Sequence, residues 1–483
     1  MHKFQMYTKL QKEKAAIYEE LKKAADEIGI PAEKRGKFGL TGAISGMPSP
    51  LKERIEKVMN EEAKKCVGLN YYIDQVRELV KDVYGDEYDA AVSNTCEGSM
   101  WVSFDCLFTP PNLGRGDNYR TRYITPYEKH LHHHGAYGRP FPPKYKDILA
   151  DRGVTAGELG FYGKRQNNLD TVIVPLAGAQ YPVHGIKYHP VPFLTGVKVD
   201  ESLKILEENA MRHQEMLSGF SSLGYDTPGY GYADKDEKGT PRLIKGIAEL
   251  AKKFNVPYVI DNAWGIPFIG TSIKETGADV MCFSLDKASW APTASLILGT
   301  EEAMVPIRRA LGLHGARSGS TSSYGKAAYV TMDPGKEALS GVVEALRIIK
   351  TEPHLLKKPI DDLYDLVKEE FAKIDSKIRH HFIINKSYNS GTVEINYESS
   401  WNGNQSGIPV FSIEDMYANS NLFQDGCAVM GIVPTIAYDA NIFISPGLGT
   451  TDAHGNLDKQ TMRYALQGLV RCIEIVCKHA EII

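Results

Sequence analysis

Three short apolar runs between Pro257 and Gly299 constrain the fold of this chain more than any other feature. They cover 258–261, 279–287 and 294–298, and turn residues separate them. Runs of this length and composition are typical of buried, neighbouring strands in an α/β sheet. The first run ends on Asp261 and the second ends on Lys287, 26 residues later.

This pair of residues indicates a chemistry. Open α/β sheets bind their ligands at the carboxyl ends of the strands. An amine and a carboxylate at two such ends fit a site for pyridoxal 5'-phosphate (PLP), in which Lys287 forms a Schiff base and Asp261 pairs with the protonated pyridine nitrogen. Ala263 and Ser284 are small residues near the pair. The alternative is a surface lysine and an aspartate that caps the following helix.

The cofactor phosphate is expected at a second place in the chain. Residues 88–93 predict a strand, 94–99 predict a turn of small residues, and a helix is expected from Met100. This arrangement points free backbone N–H groups at an anion. The predicted contacts are Glu97, Gly98 and Ser99, with the Glu97 side chain turned away. The alternative is an asparagine N-cap on a structural helix.

Two further strand ends supply candidate contacts to the ring. A strand at 169–175 is followed by Tyr181 and His184, and the first of these is the preferred stacking residue. Each could instead be a packed core aromatic. A strand at 217–224 is expected to neighbour the one that ends at Asp261, so Thr227 is a candidate partner of the ring hydroxyl.

The fold class follows from alternation of β and α units, which predicts a mostly parallel central sheet with helices on both faces and right-handed crossovers. A length of 483 residues predicts more than one domain. We expect an N-terminal helical arm (1–59), a PLP-binding large domain (60–333, with an insertion at about 110–168) and a small C-terminal α+β domain (334–483). Strands of the small domain are expected at 383–384, 392–397, 408–411 and 443–444.

Composition narrows the possible partners. A net charge of −4 without a basic block argues against a nucleic-acid partner. Seven cysteines without a CxxC pair favour reduced thiols and a cytoplasmic protein, and no signal peptide or membrane span is visible. The histidines at 130 and 132–134 do not face one way on a helix or strand, so we predict no metal site there. The insertion that contains them is expected to cover the active site or to form an oligomer contact.

At these residues the chain resembles the PLP-dependent enzymes of fold type I, the aspartate aminotransferase superfamily. Within it, 261–265, 284–287, Pro292 and 315–318 look most like the O-phosphoseryl-tRNA:selenocysteinyl-tRNA selenium transferase group. Residues 75–85 are also similar to the tryptophanase and tyrosine phenol-lyase group.

The resemblance implies roles for individual residues. It places Lys287 on the cofactor, Asp261 on the pyridine nitrogen, Ala263 against the ring face and Ser284 near the phosphate. Arg317, in a polar loop, would hold an acidic group of the substrate. A homodimer or homotetramer with active sites at subunit interfaces is also implied.

The predicted reaction is a lyase or β-replacement reaction of a small amino acid, in which Lys287 abstracts the α-proton. An aminotransferase is the main alternative, although 441–447 lacks the arginine that most aminotransferases place there. A decarboxylase is less favoured, because Asp286 stands where a histidine is usual. A non-catalytic PLP-binding protein is the fourth reading.

Overall fold

The protein is described by a computed structural model, which covers residues 3–42, 51–108, 122–127, 171–172, 187–192, 199–212, 214–227, 232–311, 332–400, 407–409, 422–435, 437–438, 440–452 and 454–483. The helices are α1 (Lys3–Ile28), α2 (Glu53–Glu62), α3 (Asn70–Tyr84), α4 (Cys96–Phe108), α5 (Val199–Arg212), α6 (Arg242–Phe254), α7 (Ile273–Thr276), α8 (Glu301–Ala310), α9 (Lys336–Thr351), α10 (His354–Phe371), α11 (Ser376–Arg379), α12 (Leu422–Val429) and α13 (Lys459–His479). The strands are β1 (Tyr88–Ser93), β2 (Arg122–Tyr127), β3 (Thr171–Val172), β4 (Lys187–Pro192), β5 (Leu217–Leu223), β6 (Tyr258–Asp261), β7 (Val280–Ser284), β8 (Ser295–Thr300), β9 (Ile383–Ser387), β10 (Thr392–Asn396), β11 (Ala437–Tyr438) and β12 (Asn441–Ile444).

A large sheet has the strand order β1-β8-β7-β6-β5-β2-β4-β3. The neighbours from β7 to β4 pair in parallel. Strand β8 runs antiparallel to both β1 and β7, and β3 runs antiparallel to β4. The predicted fold class, a mostly parallel sheet with helices, is confirmed. The three runs that opened the sequence analysis are the adjacent strands β6, β7 and β8.

Side chains alternate between the two faces of the large sheet, as the period of a strand requires. Val259 packs with α4 and α8 on one face, while Ile260 packs with α6 and α9 on the other. Helix α6 buries Ile247 and its neighbours and ends at Asn255, which adopts the left-handed conformation (φ 52°) that asparagine tolerates. Both faces of the strands are therefore buried, which explains their continuous apolar runs.

A small antiparallel sheet has the order β11-β12-β10-β9. The predicted strands at 383–384, 392–397 and 443–444 fall on β9, β10 and β12. The strand predicted at 408–411 lies partly outside the described residues, and its described part, 408–409, has no regular structure. Ile408 is 1% exposed and its N–H donates to Ser400 Oγ at 3.1 Å, so the apolar run reflects burial in a loop.

The second core, which is the apolar cluster beneath the small sheet, includes the N-terminal helix. Leu10 and Leu21 of α1 are buried there together with residues of α12 and α13. Helix α10 passes from one core to the other: Leu356 lies in the core of the large sheet and Leu363 in the second core. The proposed division into an arm and two domains stays a prediction. No helix within the described ranges is long and apolar enough to cross a membrane.

Candidate active site

Asp261 is the last residue of β6 and is buried, with 6% of its surface exposed. The strand register places Leu223 on one side of it and Cys282 on the other. The Gly224 N–H donates to the Asp261 carbonyl at 2.7 Å, and the Ala263 N–H donates to Asp261 Oδ1 at 3.0 Å. The carboxylate is thus held in a tight turn at the carboxyl end of the sheet.

Lys287 lies in the turn that follows β7 and is half-buried. Its Nζ is 5.8 Å from the centroid of the Trp264 ring, three residues after Asp261. The amine has no hydrogen-bond acceptor or ion pair among the described residues. The two turns are also joined directly, because the Ser284 N–H donates to the Ala263 carbonyl at 3.2 Å. The structure therefore brings the predicted amine and the predicted acid to adjacent strand ends.

The charges of Asp261 and Lys287 both affect the pKa of the Cys96 thiol. Burial raises its pKa well above the usual range, the negative charge of Asp261 raises it further, and the positive charge of Lys287 opposes the shift. Both residues therefore lie within electrostatic reach of one thiol at the start of α4. The thiol itself stays protonated, so it is not a nucleophile in this site.

Helix α4 begins at Cys96, and the prediction of a start at Met100 is wrong. Thr95 caps the helix: its Oγ1 accepts from the Gly98 N–H at 3.0 Å, and its carbonyl accepts from the Ser99 N–H at 3.0 Å. The small residues of 94–99 were predicted to form a turn. Those from Cys96 onward instead form the first turn of the helix, which Thr95 caps.

This capping changes the expected contacts to the phosphate. The Ser99 hydroxyl is hydrogen-bonded to Ser93 Oγ at 2.8 Å and to Ser295 Oγ at 2.7 Å. The N–H group and the hydroxyl of Ser99 are therefore both engaged within the protein. The geometry therefore argues against Ser99 as a phosphate ligand. The N–H groups of Cys96 and Glu97 make no such bond among the described residues, so they are the first-turn donors available to an anion. The Glu97 side chain is exposed to solvent.

Ser284 and Thr227 differ in what their hydroxyl groups contact. Ser284 Oγ donates to Asp286 Oδ1 at 2.6 Å. Thr227 is 2% exposed, and its Oγ1 has no hydrogen-bond partner among the described residues. Buried hydroxyl groups are nearly always bonded, so Thr227 has a group ready for a polar atom of a ligand.

An amide pair that the sequence analysis missed supports the turn after Asp261. Asn262 and Asn389 bond to each other through both amides, at 3.1 and 3.0 Å. Asn389 Nδ2 also donates to the Gly224 carbonyl at 2.7 Å. A Cβ at Gly224 or Gly265 would overlap Asn262, so both positions need glycine. Asn262 stands in the motif already singled out, but Asn389 lies 127 residues further on with no local signal.

Several candidates lie outside the described residues: Tyr181, His184, Arg317 and the histidines at 130 and 132–134. Their predicted roles stay predictions. Among the residues that are described, no group of three or more His, Cys, Asp or Glu side chains could hold a metal ion.

The described groups fit PLP. Lys287 offers an amine without an acceptor, Asp261 a buried acid, and Thr227 a buried hydroxyl without a partner. The first turn of α4 offers two N–H groups. These are the donor and acceptor types that the aldehyde, ring nitrogen, ring hydroxyl and phosphate require.

Comparisons with known proteins give matches at the level of structure. No protein-family model matches the chain, and no curated protein matches it. An adenosylmethionine-8-amino-7-oxononanoate aminotransferase from Methanocaldococcus jannaschii DSM 2661 is 15% identical, with a TM-score of 0.53 over 89% of this chain and 88% of that chain. A thermostable omega transaminase is 13% identical, with a TM-score of 0.51 over 89% and 86%.

The SepCysS–SepCysE N-terminal domain complex is a third match. It is 11% identical, with a TM-score of 0.50 over 92% of this chain and 97% of that chain. The matched structures are PLP enzymes of fold type I. Taken with the strand order, they show that this chain shares the fold of these enzymes.

Proposed function

We propose that the protein is a PLP-dependent lyase or β-replacement enzyme that acts on a small amino acid. One observation carries the proposal: the amine of Lys287, which has no acceptor among the described residues, and the buried carboxylate of Asp261 stand at the ends of the adjacent strands β7 and β6. Such a pair in this fold suits a cofactor that is bound at both ends of its ring.

The cofactor would supply one thing that no side chain can, an electron sink for negative charge at the α-carbon of the substrate. Asp261 would keep the ring nitrogen protonated, and Thr227 would bond the ring hydroxyl. Lys287 would hold the cofactor covalently and, once released by the incoming substrate, would take the proton from the α-carbon. The Trp264 ring, whose centroid lies 5.8 Å from the amine, would border the cofactor.

The remaining contacts are proposals with less structural support. Ala263 would pack on the ring face, Tyr181 would stack on the opposite face, and Arg317 would hold an acidic group of the substrate. Gly98 and Glu97 would border the phosphate, the latter through its N–H group. Loss of the α-proton would be followed by departure of a group from the β-carbon, which defines the lyase and β-replacement reactions.

We also propose a homodimer or homotetramer with interfacial active sites, and a cytoplasmic location. Support for the first comes from the resemblance to fold-type I enzymes. Support for the second comes from the seven cysteines, all of which are free thiols.

The covalent link can be tested directly. Borohydride reduction of the protein with bound PLP is expected to fix the cofactor on Lys287, and mass spectrometry of the digested protein locates it. Lys287→Ala should lose both the label and the visible absorption of the lysine-bound cofactor. Lys204→Ala, an exposed lysine on α5, is the matched control. A label on another lysine would remove Lys287 from its role.

The reaction class needs a second experiment. The protein is incubated with a panel of small amino acids while ammonia, pyruvate, keto acids and carbon dioxide are measured. Release of ammonia and pyruvate, or exchange of the β-substituent, is expected. Conversion of the cofactor to its amine form with an equal amount of keto acid would show an aminotransferase instead, and carbon dioxide would show a decarboxylase.

A further inference from the structure

The hairpin turn between β9 and β10 of the small sheet (387–391) lies among the turns that carry the proposed PLP contacts. Thr227, Asp261 and Lys287 stand at the ends of three neighbouring strands of the large sheet, β5, β6 and β7. Long stretches of chain separate them, so their relative positions depend on what joins these strand ends. The 387–391 turn contacts all three ends.

Ser387, the last residue of β9, binds the turn after β5. Its hydroxyl donates to Asp226 Oδ1 at 2.6 Å and accepts from the Ser390 N–H at 2.9 Å. Ser387 is 1% exposed, and a hydrogen bond to a carboxylate is stronger than one between neutral groups. Asp226 directly precedes Thr227, whose buried hydroxyl has no partner among the described residues. The contact therefore constrains the backbone that carries the Thr227 hydroxyl.

Asn389 binds the turn after β6 through its side chain and its backbone. The amide bonds Asn262, the residue after Asp261, at 3.1 and 3.0 Å. The Asn389 carbonyl accepts from the Ile266 N–H at 2.7 Å. The second strand end is thus bonded to the same hairpin turn as the first.

Gly391 packs against the turn after β7. A Cβ at this position would stand 2.9 Å from the Cβ of Ala288, the residue that follows Lys287. The φ of Gly391 is +63°, which favours glycine, so both the conformation and the close approach require this residue. The third strand end therefore also lies directly against the 387–391 turn.

These contacts follow one pattern. In each case the hairpin turn touches the residue next to a proposed PLP contact: Asp226 beside Thr227, Asn262 beside Asp261 and Ala288 beside Lys287. Groups that bind one small molecule from several sides must be held to within about 0.5 Å of the productive geometry. A single turn that meets all three strand ends can hold them in this way.

We propose that the 387–391 turn is a positioning element of the cofactor site, and that Ser387 is a positioning residue that acts on Thr227 through Asp226. The inference rests on the proposed function, because it concerns the same PLP site. It assigns the small sheet a role in cofactor binding without any direct contact to the cofactor.

The test is titration of the full-length protein with PLP, followed by absorption. Ser387→Ala and Asp226→Ala should each weaken PLP binding by about five-fold or more, because the Thr227 hydroxyl is no longer held in place. Asp226→Asn keeps an oxygen that accepts from Ser387 and should bind PLP like the natural protein.

Lys235→Ala is the matched control. Lys235 Nζ lies 3.5 Å from the other oxygen of Asp226, in an exposed pair that contributes little, so its loss should leave PLP binding unchanged. Unchanged PLP binding by Ser387→Ala and Asp226→Ala would overturn the proposal. Equal losses in the asparagine and alanine variants of Asp226 would also overturn it.

A double-mutant cycle separates positioning from a general structural role. Thr227→Ala removes the hydroxyl on which Ser387 is proposed to act. Adding Ser387→Ala to this variant should therefore weaken PLP binding no further. Additive losses would show that Ser387 does not act through Thr227 and would contradict the proposal. If Ser387→Ala fails to fold, the comparison of Asp226→Ala with Asp226→Asn still decides the question.

Borohydride labelling of the natural protein distinguishes failure of this inference from failure of the proposed function. Label on Lys287 together with unchanged PLP affinity of Ser387→Ala would contradict the positioning role alone. Absence of both PLP binding and label would contradict the proposed function, and the positioning role would fall with it.

Discussion

Asn389 makes most of the direct polar contact between the small sheet and the strand end that carries Asp261. Its amide bonds Asn262 and the Gly224 carbonyl, and its Oδ1 also accepts from the Thr271 N–H at 2.9 Å. The contacts to Asn262 and to the Gly224 carbonyl are buried, so those groups would stay unpaired without the amide.

Asn389→Ala should therefore destabilise the protein by about 2–4 kcal/mol and weaken PLP binding, because several buried polar groups lose their partner. Chemical denaturation and a PLP titration measure the two effects. Asn385→Ala, in the same hairpin, is the control, since its Nδ2 has no hydrogen-bond partner among the residues that the structure describes. If both variants lost stability and PLP binding to a similar extent, the effect could not be assigned to the Asn262–Asn389 amide pair.

Asp333 predicts a pH dependence of stability. Burial raises the pKa of its carboxyl from an ordinary 3.8 to about 7, and neither oxygen has a hydrogen-bond partner among the described residues. The folded protein thus binds the proton more tightly than the unfolded chain does. This group lowers stability as the pH rises from about 4 to about 7, and its full effect is present above pH 7.

Asp333→Asn removes that effect. After allowance for solvent screening, the variant should be more stable than the natural protein by about 1–2 kcal/mol at pH 8. At pH 3 the difference should nearly vanish, because the carboxyl is then mostly protonated in both states. Denaturant unfolding at the two pH values measures it, and an equal difference at both would contradict the assignment.

At the scale of elements, the positions of the central strands could be predicted from the sequence. The direction of β8 and the first residue of α4 could not. Runs 258–261, 279–287 and 294–298 revealed β6, β7 and β8, because residues buried on both faces leave a continuous apolar pattern. The antiparallel direction of β8 could not be predicted, because a strand buried on both faces has the same apolar pattern whether it runs parallel or antiparallel to its neighbours. The start of α4 was misplaced because small residues suit a turn as well as a capped first helical turn.

The cap of α4 gives a prediction for this element. Thr95→Ala should lower the free energy of unfolding by about 1 kcal/mol, because the Gly98 N–H loses its acceptor. Thr95→Ser keeps the hydroxyl and should remain close to the natural protein. Denaturant unfolding of both variants is the measurement. A serine variant as unstable as the alanine variant would assign the effect to the lost methyl group instead.

At the scale of the whole molecule, the two ends of the chain share one core. His479 of α13 lies between Glu13 and Glu20 of α1, with contacts of 2.6 and 2.9 Å, and Leu21 is fully buried beside them in the second core. A helical N-terminal segment was predicted from the sequence, but its packing partner was not. Contacts between residues more than 450 positions apart leave no local pattern, and the same reason hid Asn389.

Leu21→Ala should destabilise the protein by about 2–5 kcal/mol, because it leaves a cavity in the second core. Met211→Ala, at a position that is 55% exposed, is the control and should change stability little. Denaturant unfolding measures both. If α1 were a separate arm without a role in this core, the two variants would be equally stable.

The central claim is that Lys287 and Asp261 bind opposite ends of one PLP molecule. A crystal structure of the protein with PLP tests it most directly. The account predicts continuous density from Lys287 Nζ to the cofactor, with an Asp261 oxygen roughly 3 Å from the ring nitrogen. Density for PLP at any other lysine, or an Asp261 carboxylate turned away from the ring, would contradict it.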